Sequence, residues 1–167
     1  MFIKNIIMED YIDMIMKGDN EAAIGNFQKA IEIHTEVIQN YKDENLSHPY
    51  TSRAGALSNL GKFSEAIDDA KVAISLNDKY VMAYYFRAFS YLNIGEYEKA
   101  IADYAKVISI DPDKPGAYIG RGLAYYELGE YENAIADYTK AISIDPDDIM
   151  TYNDRGLFYR KLGEYEN

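Results

Sequence analysis

Few side chains in this sequence have the type and spacing that metal binding or catalysis requires. His34 and His48 are the only histidines, and the chain has no cysteine with which they could form a zinc site. The sequence contains no glycine-rich phosphate loop and no Gly-x-Ser-x-Gly turn. We therefore predict no catalytic residue, no metal site and no cofactor, so that the chain is not expected to be an enzyme.

Two acidic clusters superficially resemble calcium ligands. They are Asp111-Pro112-Asp113 and Asp145-Pro146-Asp147-Asp148. Both lack the spacing and the terminal Glu of a 12-residue calcium loop. Proline cannot continue a helix and aspartate caps a helix N-terminus, so these clusters indicate the end of one helix and the start of the next.

Arginine and aspartate recur along the chain in pairs whose members are 16 residues apart. The pairs are Arg53 with Asp69, Arg87 with Asp103, and Arg121 with Asp137. Antiparallel helices joined by a short turn bring such positions together, so we predict one ion pair inside each helix pair, contributing about 0–1 kcal/mol. Arg155 would need a partner beyond the end of the sequence, which suggests a fragment of a longer protein. The alternative, a ladder of arginines that binds an acidic ligand, is left open.

These columns belong to an internal repeat with a period of about 34 residues. Each unit has bulky residues at helical spacing, then a Gly that ends the helix, then a second helical stripe. The shared columns are Gly61, Gly95, Gly129 and Gly163; Tyr50, Tyr84, Tyr118 and Tyr152; and Ala66, Ala100 and Ala134. Because tyrosine buries apolar area while its hydroxyl reaches the rim, we expect most of the 17 tyrosines to pack in the core.

The segment from Tyr118 to Pro146 resembles the tetratricopeptide repeat (TPR), with Tyr at the first bulky position where the family usually has Trp. The resemblance implies an all-α fold, a right-handed α-solenoid of antiparallel helix pairs with about 3.5 repeats. The expected units are a divergent first repeat (1–46), three full repeats (47–80, 81–114 and 115–148) and an incomplete repeat (149–167).

The two end units depart from the regular pattern. In the first, we expect the turn at Gly18, with Gly25 as the alternative, and a second helix extended to about Lys42. In the last, we expect a first helix from about Ile149 to Leu162 and the beginning of a second helix at Tyr165.

By the resemblance, three positions on each first helix line a concave groove. The helix from 81 to 94 is apolar almost all round, which indicates a second contact surface besides the one that packs on its neighbours. With Tyr85 and Phe89 on that surface, we expect the middle of the groove to be aromatic. Thr51, Gly55 and Ser58 would form a small, polar end. The predicted peptide-binding residues, here called the groove face, are Tyr85, Phe89, Leu92, Ile119, Leu123, Tyr126, Asn153 and Leu157.

Composition restricts the partners. The net charge of −11 disfavours nucleic acid and anionic membrane surfaces, and the sequence lacks a signal peptide and a span of about 20 apolar residues. We expect a cytoplasmic scaffold that binds a peptide or partner protein, with a possible homodimer through the C-terminal helix. The lysines with which some TPR proteins hold the acidic tails of Hsp70 and Hsp90 are absent from the groove face. Alternatives are a non-catalytic recruitment region of a longer enzyme or secretion component, and an acidic secretion-type chaperone.

Overall fold

The computed structural model describes residues 2–42 and 44–165, and within them every regular element is an α-helix. The chain divides into two compact units, Met1–Ser90 and Tyr91–Asn167, with the boundary inside α5. The helices are α1 (Phe2–Ala23), α2 (Phe27–Asn40), α3 (Ser47–Asn59), α4 (Phe63–Leu76), α5 (Val81–Asn93), α6 (Tyr97–Ile110), α7 (Pro115–Glu127), α8 (Tyr131–Ile144) and α9 (Ile149–Tyr165).

Glycine in the left-handed conformation makes each tight helix–helix turn. Gly25, Gly61, Gly95 and Gly129 have φ of 81°, 74°, 80° and 78°. The residue after each glycine donates its amide to the carbonyl five positions earlier, for example Lys62 N to Leu57 O at 2.9 Å. This bond satisfies a carbonyl that the ending helix leaves open, so the repeated glycine column closes one helix and returns the chain along it.

The predicted turn at Gly18 is wrong. Gly18 lies inside α1, and the turn is at Gly25, the alternative register. Gly18 is required by packing: a Cβ there would stand 2.7 Å from the His34 ring. Gly122 faces Tyr138 in the same way, at 2.7 Å. Both glycines therefore occupy the position where a ring from the second helix of the pair meets the first helix.

Gly18, Gly122 and Gly156 form one column of the repeat, each seven residues before the glycine at 25, 129 or 163. We expect substitutions at the first and the last of these to have opposite effects on stability. Gly18→Ala is expected to lower the free energy of unfolding by about 1–2 kcal/mol, because the clash with buried His34 outweighs the better helix propensity of alanine. Gly156→Ala in α9 is expected to raise it by up to about 1 kcal/mol, since nothing lies within 4 Å of the added methyl group. Urea unfolding of both variants checks this. Equal effects of the two substitutions would contradict the packing account.

The predicted extension of the second helix to Lys42 is also wrong. α2 ends at Asn40 and has 14 residues, as α4, α6 and α8 do. The extra residues lie in the connection: 41–46 joins α2 to α3, whereas 77–80 joins α4 to α5. Insertions cost least in such surface connections, which explains why the helix lengths are preserved.

The last helix is longer than expected. α9 continues through Gly163 to Tyr165, where the sequence predicted a turn and the opening of a second helix. Gly163 is not in the left-handed conformation that closes the other four turns. Glycine permits that conformation without imposing it, which explains why the column alone misplaced this helix end.

Of the two acidic connections, only the one before α9 caps the helix that follows it with an aspartate. Before α9, Asp148 accepts the Met150 amide at 3.1 Å, the capping bond that the sequence predicted. Before α7, the N-cap is Lys114, without a side-chain capping bond, and Pro115 follows at the first helical position. The Asp111-Pro112-Asp113 cluster therefore ends α6 but does not cap α7.

Two of the three predicted ion pairs are confirmed. Arg53 binds Asp69 with two bonds of 2.6 and 2.7 Å, and Arg121 binds Asp137 with two bonds of 2.7 Å. Such bidentate pairs fix the relative position of two helices more strictly than a single contact does. The pair of Arg87 with Asp103 would join the two units and stays a prediction.

Each of these arginines also stacks on the tyrosine three residues earlier, a contact that the sequence reasoning missed. The guanidinium carbon lies 5.5–5.8 Å from the ring centre in four pairs: Tyr50–Arg53, Tyr84–Arg87, Tyr118–Arg121 and Tyr152–Arg155. This spacing is one helical turn, so the stack keeps each arginine in place before it reaches the second helix. Arg155 lies 3.3 Å from the Thr139 hydroxyl.

Candidate functional site

Apart from Leu92 on α5, the groove face of the second unit is built on α7 and α9. Ile119, Leu123 and Leu157 are half-buried and pack against a core cluster. The members of that cluster are Ala134, Ile135, Tyr138 and Phe158. The second helix, α8, thus supports the inner residues from behind, and part of each remains accessible to a partner.

Tyr126, on α7, is held between two other aromatic rings. Its ring stacks on Phe158 with centroids 4.5 Å apart and planes at 22°, and it lies 5.5 Å from the Tyr131 ring. Asn153, on α9, is exposed. A ring held in this way offers a partner apolar contact at little entropic cost, and the exposed amide of Asn153 can form hydrogen bonds with a partner.

Tyr85 and Phe89, the groove-face residues of the first unit, are held by other aromatic rings. Tyr85 meets Phe86 edge-on at 5.8 Å, and Phe89 meets Phe63 at 6.4 Å. Burial raises the pKa of Tyr85. Leu92 is half-buried in the second unit. The structure therefore places the predicted aromatic residues on α5, in fixed orientations.

The three residues expected at the small, polar end of the groove are not exposed. Thr51, Gly55 and Ser58 are buried. A Cβ on Gly55 would stand 2.8 Å from the Phe86 ring, and the Ser58 hydroxyl lies 2.8 Å from that of Ser90. Small residues let α5 approach α3 this closely at Gly55 and Ser58, two of the three positions that were expected to face a partner.

The first unit holds a pocket that the sequence reasoning missed. It has a volume of about 310 Å³ and opens between α1, α3 and Phe86 of α5. Its lining residues are Asp19, Ala22, Ala23, Phe27, Ser52, Gly55, Ala56, Asn59 and Phe86. With the turn at Gly25, Asp19 falls in the column of Gly55, so the correct register would have shown that α1 contributes to this surface. We call it the α1–α3 pocket.

Asp19 is the centre of a polar network at the edge of this pocket. Its carboxylate accepts hydrogen bonds from the Ser52 hydroxyl at 2.8 Å and from His48 Nε2 at 2.8 Å. The other nitrogen of His48 lies 2.6 Å from the Tyr80 hydroxyl. The network ties α1 to α3 and to the residue that precedes α5.

His34, on α2, lies beside this network without bonding to it. Its ring is fully buried, with Nε2 3.3 Å from Asp19 Oδ1, but neither ring nitrogen makes a hydrogen bond. Burial acts to raise the pKa of Asp19, but His34, His48 and Ser52 together lower it well below its usual range. Asp19 is therefore ionised at neutral pH.

The Ser52, His48 and Asp19 side chains do not form a nucleophilic triad. In a triad the carboxylate orients one imidazole nitrogen while the other accepts the serine proton. Here Asp19 bonds His48 Nε2, the nitrogen nearest to Ser52, and the Ser52 hydroxyl bonds Asp19 directly. The arrangement joins helices and does not activate the serine.

The lowered pKa of Asp19 predicts a pH-dependent effect on stability. Asp19→Asn is expected to lower the free energy of unfolding at pH 7 by about 1 kcal/mol, because charge-assisted bonds are lost from a side chain that is 39% exposed. A depressed pKa contributes stability above the unfolded value near 4 and loses it as pH falls. The difference should shrink at pH 3. Urea unfolding at both pH values, with exposed Asp78→Asn as control, checks this; a difference that grows at pH 3 would contradict it.

Within residues 2–42 and 44–165, no group of three or more His, Cys, Asp or Glu side chains is arranged to hold a metal ion. No helix in that part of the chain is long and apolar enough to cross a membrane.

Comparison with known proteins agrees with the repeat pattern. A TPR repeat family model matches residues 90–129 and 122–163. The rat mitochondrial import receptor subunit TOM70 is 36% identical over 74 residues, which are 42% of this chain and 12% of that protein. The matched segment thus spans a small part of that relative.

Solved structures show the same fold. MamA (41-end) from Desulfovibrio magneticus RS-1 superposes with a TM-score of 0.81 at 22% identity, over 93% of this chain and 87% of that one. The first TPR of Spaghetti (RPAP3), bound to the HSP90 peptide SRMEEVD, gives 0.68 at 20% identity, over 70% and 93%. The predicted all-α helical repeat array is confirmed. The family model covers residues 90–163, and the repeat period, the glycine turns and the solved structures agree with a tetratricopeptide-repeat array.

Proposed function

We propose that this chain is a scaffold that binds a peptide or partner protein through the groove face of its repeats, in the cytoplasm and without a catalytic role. The TPR fold is generally a protein–protein interaction module, and relatives with this fold bind peptides. The observation that carries the proposal is the group Ile119, Leu123, Tyr126 and Leu157. These side chains are half-buried, supported from behind by one core, and partly open to a partner.

Capture from a lysate of the source cell tests the proposal. The variant Tyr85→Ala, Phe89→Ala, Leu123→Ala removes apolar contact area from the groove face of both units. The matched control Val72→Ala, Leu76→Ala, Ile110→Ala removes three exposed apolar side chains from second helices. We expect a partner captured by the unaltered chain and by the control to be lost from the groove-face variant.

The truncated residues also pack against neighbours, so folding must be verified by circular dichroism and a thermal melt. A second variant avoids the problem: Asn153→Glu changes an exposed residue and leaves the core intact. Capture that all variants share equally would contradict binding through the groove face.

We also propose that α9 pairs with a second copy of the chain. Its exposed apolar side chains include Tyr152 at 42% and Tyr159 at 55%, with Ile149 and Met150 also exposed. Tyr118, in the column of Tyr152, is buried on α7, which packs against α8. Light scattering should give a dimer that Tyr152→Ser with Tyr159→Ser converts to a monomer, and a monomeric unaltered chain would contradict the pairing.

The alternative of a recruitment region in a longer enzyme or secretion component predicts the same binding surface. It differs in what adjoins the repeats, which the full reading frame decides. An acidic secretion-type chaperone is favoured only by size and charge.

A further inference from the structure

We infer that the α1–α3 pocket selects a basic peptide, one that places a lysine or arginine beside Asp19 and a neighbouring apolar side chain against Phe86. This inference rests on the proposed peptide-binding function and names the chemistry of the partner. The pocket lies in the first unit, on the helices α1, α3 and α5 and on Phe27 of α2.

The walls of the pocket are mainly apolar and small. Ala22 and Ala23 come from α1, Gly55 and Ala56 from α3, and the ring of Phe86 closes one side. The Phe86 ring occupies the space that a side chain at position 55 would need, so the wall is fixed. About 310 Å³ lined in this way accommodates one medium-sized apolar side chain together with an adjoining backbone segment.

The pocket carries a negative charge from its polar lining. Asp19 is the only charged residue among the nine that line it, and the others are apolar or neutral polar. Each oxygen of its carboxylate accepts one hydrogen bond from the protein, and His34 Nε2 lies 3.3 Å from Oδ1. An ionised carboxylate has about four acceptor positions, so at least one is left open. A partner ammonium or guanidinium group can therefore bind there without displacing Ser52 or His48.

The net charge of the whole chain also favours a cationic partner. The whole chain carries a net charge of −11, which attracts cationic segments and repels anionic ones. The RPAP3 domain of similar fold is bound to SRMEEVD, a peptide with two glutamates and an aspartate. The α1–α3 pocket has no lysine or arginine with which to hold such a peptide. The expected preference is thus the reverse of that neighbour's.

Selection from a displayed library of random 12-residue peptides tests the inference. We expect the unaltered chain to enrich peptides in which lysine or arginine stands beside Leu, Met or Phe. A synthetic peptide of the enriched sequence is then measured by fluorescence anisotropy against three variants: Asn59→Lys at the pocket wall, Asn40→Lys at the exposed end of α2, and Asp19→Asn.

Asn59→Lys should weaken binding about 5–10-fold, because it places a like charge close to the bound cation. Asn40→Lys makes the same change in net charge outside the pocket and should weaken binding less than twofold. Asp19→Asn should weaken it at least as much as Asn59→Lys. Asn59 is exposed, so its substitution keeps the test valid even if Asp19→Asn unfolds the protein.

Three results would overturn the inference. Enrichment of acidic peptides would overturn it while leaving groove binding in place, provided that those peptides are lost from the groove-face variant. Equal weakening by Asn59→Lys and Asn40→Lys would show general attraction to an acidic protein. No enrichment at all would show that the pocket does not select a peptide, whereas the proposed function is decided separately by capture from lysate.

Discussion

Tyr138→Ala is expected to lower the free energy of unfolding by about 3–5 kcal/mol. Tyr138 is fully buried at the centre of the second unit. Its ring packs edge-on against Phe158 at 4.7 Å and fills the space left by Gly122 on α7. Removing the ring leaves a cavity shared by α7, α8 and α9, the helices that carry the groove face of that unit.

Two companion variants show how much of this loss comes from the hydroxyl and how much from burial of the ring. Tyr138→Phe keeps the ring and removes one contact of 3.4 Å to Asp154, so we expect a loss below about 1 kcal/mol. Tyr152→Ala deletes the same atoms at a position that is exposed in the single chain. Measured at a concentration below that at which α9 would pair with a second copy, it should also cost less than about 1 kcal/mol. Urea unfolding measures all three. A loss for Tyr138→Ala no larger than that for Tyr152→Ala would contradict the described core.

Asp137→Ala is expected to lower the free energy of unfolding by about 2–4 kcal/mol. The Asp137 side chain is 9% exposed and accepts both bonds of Arg121, which is 21% exposed. Removing the carboxylate leaves a largely buried guanidinium without its partner, and such a loss exceeds the net contribution of the pair. This exceeds the 0–1 kcal/mol expected from the sequence, because the structure buries the pair more than a surface pair.

A double variant distinguishes this cause from lost packing. Arg121→Met with Asp137→Leu replaces both charges by apolar groups of similar size, and buried pairs replaced in this way often lose little stability. We expect the double variant to regain at least half of the loss seen for Asp137→Ala. Additive losses from the two positions in unfolding experiments would show that the unpaired charge is not the cause.

The regular part of the fold was predictable because its signals are local. Glycine at 61, 95 and 129 adopts the left-handed conformation that closes a helix, and the helices begin and end around it. The offset between Arg121 and Asp137 on two helices of one pair was enough to predict their contact. Because one short turn of fixed length joins the two helices, residues at a given separation in sequence lie next to each other in the pair.

The irregular part was not predictable from spacing alone. Gly18 and Gly25 both fitted the turn, and the choice depended on whether His34 would pack against Gly18, a tertiary contact. The burial of Gly55 and Ser58 has the same origin, because it depends on how closely Phe86 and Ser90 of α5 approach α3. The error in register also concealed the α1–α3 pocket, since Asp19 was expected to lie beyond the turn.

The central claim is that a partner binds the groove face, and site-specific photo-crosslinking in the source cell tests it most directly. A photo-reactive amino acid is placed in separate variants at Tyr126 and Asn153 of the groove face, and at exposed Glu132 and Lys140 of α8. We predict that one partner is crosslinked from positions 126 and 153 and not from 132 or 140. Crosslinking of the same partner from 132 and 140 alone, or equally from all four positions, would contradict the account.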